Sequence, residues 1–382
     1  MAKKQPPKPR WQRWVPLGVL IVLVAAGSLA LFIRTRRPSP VKELISYQVM
    51  QIAQTEVKSL KPPPVMAALQ YAYVANVYQD ALQVAGQNGA LLATSGMLQT
   101  LYSKDTTHVQ TSMAALAARN GLDLTDTDGK AQVVLSTYQQ RYKIDGHDLV
   151  WDGTIPVGDG KWFSKVGLAP LTPRAGEWQR WNVNAAITVP TPPVLGSAED
   201  KQQFTIVEQA VAGRNGEDVN LINFWGGVAG TEGPSGIWQN QLYRTIHTDL
   251  SKNMVKADKT YAQTQALLAQ TLSDAFMECW KVKFTYWTAR PDMRNPAIVT
   301  AMADPNFPGY VSGHSTISKA AADVLSVAVP NYAAQWEDMA KAARRSRLVA
   351  GIHFDNDNVE GFNVGTAVAK QVITNKHVTK IL

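Results

Sequence analysis

An all-α fold is expected for this 382-residue chain on two observations. Most of it divides into apolar-patterned stretches of helical length closed by proline or glycine, and only residues 185–189 read as a strand. The first stretch, 41–60, stops at Lys61-Pro62-Pro63-Pro64. The next two, 65–85 and 89–103, are followed by 107–119, which ends at Asn120-Gly121, and by 130–144. Residues 145–200 then change character: proline and glycine are frequent, with Trp151, Trp162, Trp178 and Trp181 among them. So long an irregular segment reads as a functional or capping insertion held down by its tryptophans. Helical patterning resumes at 201–213 and again over 237–288, ending before Arg290-Pro291 because the residue before proline is pushed out of helical conformation. The tail carries helices at 313–327, 331–350 and 356–373. The expected organisation is an arm over 1–40 and one helical domain over 41–382.

The net charge of +8 is a property of that arm. Residues 1–40 hold eight of the 38 lysines and arginines and no acid, so the body balances 30 bases against 30 acids. A nucleic-acid binder would carry the excess on its folded domain, and that class is set aside. Within the arm, residues 14–33 are uncharged, enough to span about 30 Å as a helix. Five basic residues precede this run and three follow. The expectation is a single membrane anchor with a cytoplasmic N-terminus and the catalytic domain on the extracytoplasmic side. A cleaved signal peptide is the competing reading, since Ser28-Leu29-Ala30 resembles a cleavage site, but the apolar run continues past it. The single cysteine, Cys279, excludes an intrachain disulfide and any multi-cysteine metal site.

Chemistry concentrates in three segments. They are Lys283-Phe-Thr-Tyr-Trp-Thr-Ala-Arg290-Pro291, Val311-Ser312-Gly313-His314, and Ser346-Arg347-Leu-Val-Ala-Gly-Ile-His353. Their polar groups are cations and hydrogen-bond donors with no carboxylate among them, an inventory suited to a tetrahedral oxyanion. Read as one helix, the steps of three, four and three place Trp280, Lys283, Trp287 and Arg290 on one inward face. Burying unpaired cations costs several kcal/mol each, so either a distant carboxylate or a ligand should meet them. Ser312-Gly313-His314 leads into an Ala-rich helix, whose first amides are poised for an anion; an ordinary serine N-cap explains the serine but not the histidine. From His353 a step of four reaches Asp357, Gly361 and Gly365. Asp357 is placed to hold one ring nitrogen of His353 and leave the other for a reacting atom, above glycines that permit close helix packing.

The pattern K-x6-R-P, then S-G-H, then S-R-x5-H resembles the signature shared by type 2 phosphatidic acid phosphatases (PAP2), bacterial class A acid phosphatases and vanadium-dependent haloperoxidases. It covers about 275–370; the proline usual before Ser-Gly-His is Val311 here. The resemblance implies a helical bundle whose core binds phosphate or its analogue vanadate. Lys283, Arg290 and Arg347 would neutralise equatorial oxygens, Ser312 and the Gly313 amide would donate hydrogen bonds, and His314 would be the acid/base. His353 would be the axial group, attacking phosphorus in a phosphatase or coordinating vanadium in a haloperoxidase.

Phosphate and vanadate are near-isosteric, so this shell does not separate the two chemistries. Trp280 and Phe307 look like the aromatics flanking the halide region of fungal-type vanadium chloroperoxidases, although ordinary core packing would also place aromatics there. The expected enzyme is a membrane-anchored haloperoxidase with a vanadate cofactor, oxidising halide with hydrogen peroxide. The alternative is a cofactor-free phosphatase acting through a phosphohistidine. Its partners are expected to be small molecules and the membrane, not nucleic acid, with a homo-oligomer open.

Overall fold

A computed structural model describes residues 43–382, and the apolar run 14–33 lies outside them. Among the described residues no helix is long and apolar enough to cross a membrane. Leu44–Leu382 fold as one compact unit built from helices, and no named strand occurs among the described residues. In chain order these are α1 (Ile45–Leu60), α2 (Pro64–Leu101), α3 (Thr106–Arg119), α4 (Lys130–Ile144), α5 (Ala198–Ala212) and α6 (Gly216–Trp225). They continue as α7 (Gly233–Ile246), α8 (Met254–Tyr286), α9 (Pro291–Arg294), α10 (Gly313–Ala328), α11 (Ala333–Val349) and α12 (Asp355–Asn375).

Two long helices form the centre. α2 begins with Pro64 at its first position, where the missing N–H costs nothing, and kinks at Gly86, so the expected break between 85 and 89 is real. It is apolar around its whole circumference and is correspondingly buried against α8 and α4. α8 in turn packs on α10, and α10 is held between α11 and α12.

Three expectations need correction. The stretch 237–288 is two helices, because the chain turns at 247–253 and Asn253 caps α8 by accepting the Lys256 amide at 3.1 Å. α6 escaped the sequence reading although Asn215 and Asp218 form a full capping box at its start. Residues 185–189 are not a strand. Their neighbourhood is satisfied by side chains of α12: the Asn184 and Ala185 amides donate to Gln371 Oε1 (3.0 and 2.9 Å), and Asn375 Nδ2 donates to the Asn182 carbonyl (2.7 Å).

The insertion 145–200 is irregular apart from a 3-10 turn at Pro173–Glu177 and an isolated bridge between Lys161 and Thr288. Trp162 and Trp178 are buried, while Trp181 lies edge-on to Tyr73 at 5.0 Å with Arg141 over its ring. Its strongest tether is Asp274 of α8, which accepts the amides of Trp181 (2.7 Å), Asn182 (2.7 Å) and Val183 (3.2 Å). Burial pushes the Asp274 pKa up to about 6, against the pull of those amides, so it is ionised at neutral pH. Asp274→Ala strips three amides of their acceptor and is expected to cost about 3 kcal/mol or more. Protease cleavage within 145–200 at temperatures below global unfolding is the expected readout; unchanged resistance would show that the tryptophans alone hold the segment.

Candidate active site

The three basic segments converge where α8, α10 and the turn before α12 meet. α8 ends one turn earlier than the sequence periodicity implies. Trp287 closes it in the left-handed conformation (φ 54°), with its amide on the Lys283 carbonyl. The single inward face therefore stops at Lys283. Trp287 packs instead on Phe284 (4.9 Å) and toward Trp162 (6.2 Å), and Arg290 lies beyond the helix, capping α9 in an extended conformation. Arg290 still reaches the same space, with its Nη1 3.3 Å from His353 Nε2.

Lys283 is fully buried and donates to the carbonyls of Pro308 (2.8 Å) and Gly309 (2.7 Å), which occupies two of its three donors. Arg290, also fully buried, donates through Nη1 to the Ile352 carbonyl (2.7 Å) and through Nη2 to the Phe307 carbonyl (3.2 Å). Its Nε has no hydrogen-bond partner, and Asp304 Oδ1 stands 3.9 Å away. Both cations lie over the Phe307 ring, Lys283 at 5.2 Å and Arg290 at 5.4 Å, and Trp280 packs on that ring at 4.8 Å. Arg347, in the last turn of α11, donates to Ser346 Oγ (2.9 Å) and contacts Met302 Sδ (3.3 Å). Its buried Nη2 has no partner. Burial, then the nearby Arg290, lower the Arg347 pKa to about 9, which leaves it a cation at neutral pH.

Ser312 caps α10: its Oγ accepts the Ser315 amide at 3.5 Å, and its own amide donates to the Asp357 carbonyl at 2.8 Å. Gly313 begins α10, so its amide has no acceptor within the helix. A side chain there would meet Phe276 at 3.3 Å and Trp280 at 3.8 Å. The loop arrives through a cis peptide between Tyr310 and Val311.

The two histidines have readable proton positions. His353 Nδ1 lies 2.9 Å from Asp357 Oδ2, and Arg290 Nη1 lies 3.3 Å from Nε2. A carboxylate can only accept and a guanidinium can only donate, so Nδ1 carries the proton and Nε2 presents its lone pair. Burial first, and then Arg290, Lys283 and Arg347, hold the His353 pKa well below its ordinary value. His353 is thus a neutral imidazole whose lone pair faces a cluster of cations. His314 places Nε2 2.7 Å from the Trp225 carbonyl, which fixes its proton on Nε2 and leaves Nδ1 for proton transfer. Its pKa is also held well below normal, by burial and then Arg347. Asp357 accepts the Phe354 amide as well (3.2 Å), and burial pushes its pKa up, while burial pushes that of Lys283 down.

All the expected residues are therefore brought together, with Trp280 and Phe307 forming one wall. Several groups escaped the sequence reading: the Trp225 carbonyl that orients His314, Met302 beside Arg347, Asp304 facing Arg290, and Asn358, which accepts from Ser315 Oγ at 2.9 Å. Only Asn358, adjacent to Asp357, had a local signal; the others arrive from distant segments.

Among the described residues, none of the three buried cations donates a hydrogen bond to a carboxylate; Arg290 Nε has only the 3.9 Å ion pair with Asp304, and Arg347 Nη2 has no hydrogen-bond partner. Left so, the site would carry poorly compensated charge in a low-dielectric interior. An oxyanion accepting from Arg290, Arg347, Ser312 and the Gly313 amide resolves that, so the residues present fit vanadate or phosphate.

Comparison with known proteins bears on the fold. Residues 327–380, which carry α11, α12, Arg347, His353 and Asp357, match the family described as VCPO second helical-bundle domain. The fold is similar to the structure described as the first bacterial vanadium-dependent iodoperoxidase, with a TM-score of 0.73, 15% identity, and coverage of 90% of this chain and 99% of that one. It is also similar to a bacterial vanadium-dependent chloroperoxidase. The holo form gives TM-score 0.68 and 12% identity over 89% of this chain and 99% of that one. The apo form gives 0.63 and 13% over 90% and 97%. No curated protein matches the chain.

Proposed function

We propose, for a chain that carries the fold of the vanadium haloperoxidase and PAP2-like superfamily, that it is a vanadate-dependent haloperoxidase oxidising halide with hydrogen peroxide. The observation that carries this reading is three buried cations, Lys283, Arg290 and Arg347, none hydrogen-bonded to a carboxylate, beside the lone pair of His353 Nε2. Lys283, Arg290, Arg347, Ser312 and the Gly313 amide would hold vanadate, with His353 Nε2 as its protein ligand. Vanadate, when bound, supplies the Lewis-acid centre that activates peroxide. The chain's own work is to fix the donors before the reaction, which lowers the cost of charge developing there. Asp357 keeps the His353 proton on Nδ1, so the lone pair is always presented correctly. His314 Nδ1 takes and returns a proton at the substrate, its ring held by the Trp225 carbonyl. The Phe307–Trp280 wall beside Lys283 and Arg290 offers a weakly hydrated halide a place against aromatic edges and cations, which favours halide over a phosphate ester.

The proposal includes a tether through residues 14–33 that places the catalytic domain on the extracytoplasmic side, with small-molecule substrates only and self-association open. Purified protein assayed with and without vanadate tests the chemistry. Vanadate-dependent halogenation of a dye by hydrogen peroxide is the expected result. Vanadate-inhibited release of phosphate from a monoester, with no halogenation, would replace this reading with a phosphatase working through His353.

A further inference from the structure

Far from this pocket in the sequence, α1 and the start of α3 bring a second set of ligating groups together. Glu56, Asp105 and His108 each offer one ligand atom, and these atoms lie within 4.8 Å of one another. Glu56 is wholly buried. One of its oxygens, Oε1, lies 2.5 Å from His108 Nδ1, and the other, Oε2, is buried with no hydrogen-bond partner. Among the described residues no lysine or arginine pairs with Glu56 or Asp105. Asp105 adds a second anomaly. It occupies the N-cap of α3, where an aspartate ordinarily accepts an amide of the first turn, yet its side chain makes no cap hydrogen bond. A carboxylate that forgoes its cap, beside a buried carboxylate with a bare oxygen, leaves negative charge that a half-exposed imidazole does not balance.

We propose that Glu56, Asp105 and His108 form a structural site for a first-row divalent cation, Zn²⁺ being the best match to one imidazole nitrogen and two carboxylate oxygens. The cation takes the place of the proton now shared between His108 Nδ1 and Glu56 Oε1. In a tetrahedral site the ligand atoms stand about 3.4 Å apart, so the Glu56–His108 pair opens by about 1 Å while Asp105 closes. The needed freedom exists, because His108 is 47% exposed at its side chain and Asp105 sits at a helix start. Water completes the shell from that exposed side. The consequence is a clamp between α1 and α3, independent of the vanadate pocket.

The test uses untagged full-length protein, stripped with chelator and titrated calorimetrically with Zn²⁺ alone. One equivalent is expected to bind, raising the melting temperature, with affinity falling more than about 100-fold in Glu56→Gln and in His108→Ala. Absence of binding in the wild type, or binding by both variants at wild-type affinity, overturns the proposal and leaves a simple Glu–His hydrogen bond. Should Glu56→Gln fail to fold, the surface-accessible His108→Ala decides alone. Halogenation by chelator-stripped protein supplied with vanadate is expected to persist, which separates this site from the pocket.

Discussion

His353→Ala abolishes vanadate-dependent halide oxidation, with an expected loss of about 10³-fold or more, while the bundle stays folded. The substitution removes the lone pair beside Arg290, since Nε2 is the unprotonated nitrogen of a ring whose Nδ1 is committed to Asp357. Its structural cost is moderate. Asp357 loses one donor but keeps the Phe354 amide at 3.2 Å, and a carboxyl whose pKa burial already raises can take up a proton. Arg290 keeps its bond to the Ile352 carbonyl. The measurement is dye halogenation together with vanadium retained per protein after gel filtration, with circular dichroism as the folding control. Retained activity in a folded variant would show that another group serves as the ligand. Loss of bound vanadium alongside activity is the result the proposed function expects.

Gly365→Ala is expected to destabilise the protein by about 3 kcal/mol, more than most single-methyl changes. A Cβ at this position would lie 2.4 Å from the Thr316 carbonyl and 3.0 Å from the Ala320 amide, both backbone atoms of α10. Neither can step aside by changing rotamer, so α10 and α12 must separate. One turn earlier, a Cβ on Gly361 would lie 2.8 Å from the Ser312 carbonyl and 2.9 Å from Ser315 Cβ. Gly361→Ala is therefore expected to lower the melting temperature and also to weaken vanadate binding, because the displaced residue is the cap that holds the anion-facing loop. Thermal denaturation checks the first effect for both variants, and vanadate titration the second. Gly216→Ala, where an added methyl meets nothing within 4 Å, is the control expected to change neither.

How much of this was legible beforehand depended on whether a residue's role is local. The Ser312 cap, the helix end at Gly351 (φ 76°) and the His353–Asp357 step are set within a turn or two, and each is found as the sequence implied; the close packing allowed by Gly361 and Gly365 is also found, against α10. The face through Trp287 and Arg290 failed for a local reason that periodicity does not see: Trp287 adopts a left-handed cap, so helical phase ends there. The strand at 185–189 failed because a local pattern shows which residues could pair, not whether a strand partner exists, and Gln371 from α12 takes both the amide and the carbonyl of Ala185 instead.

By itself, then, the sequence determined a helical protein, a basic apolar arm, and three segments whose pooled donors suit an oxyanion. These follow from composition and short-range periodicity, which survive without a third dimension. Only the tertiary structure decided which nitrogen of each histidine holds its proton, which arginine nitrogens remain unpartnered, and that Trp225 and Asp304 belong to the site. Those facts depend on atoms brought together from separate segments, Trp225 with His314 and Arg290 with His353 above all. Hydrogen-bond direction and burial are properties of that meeting, and no single segment contains them.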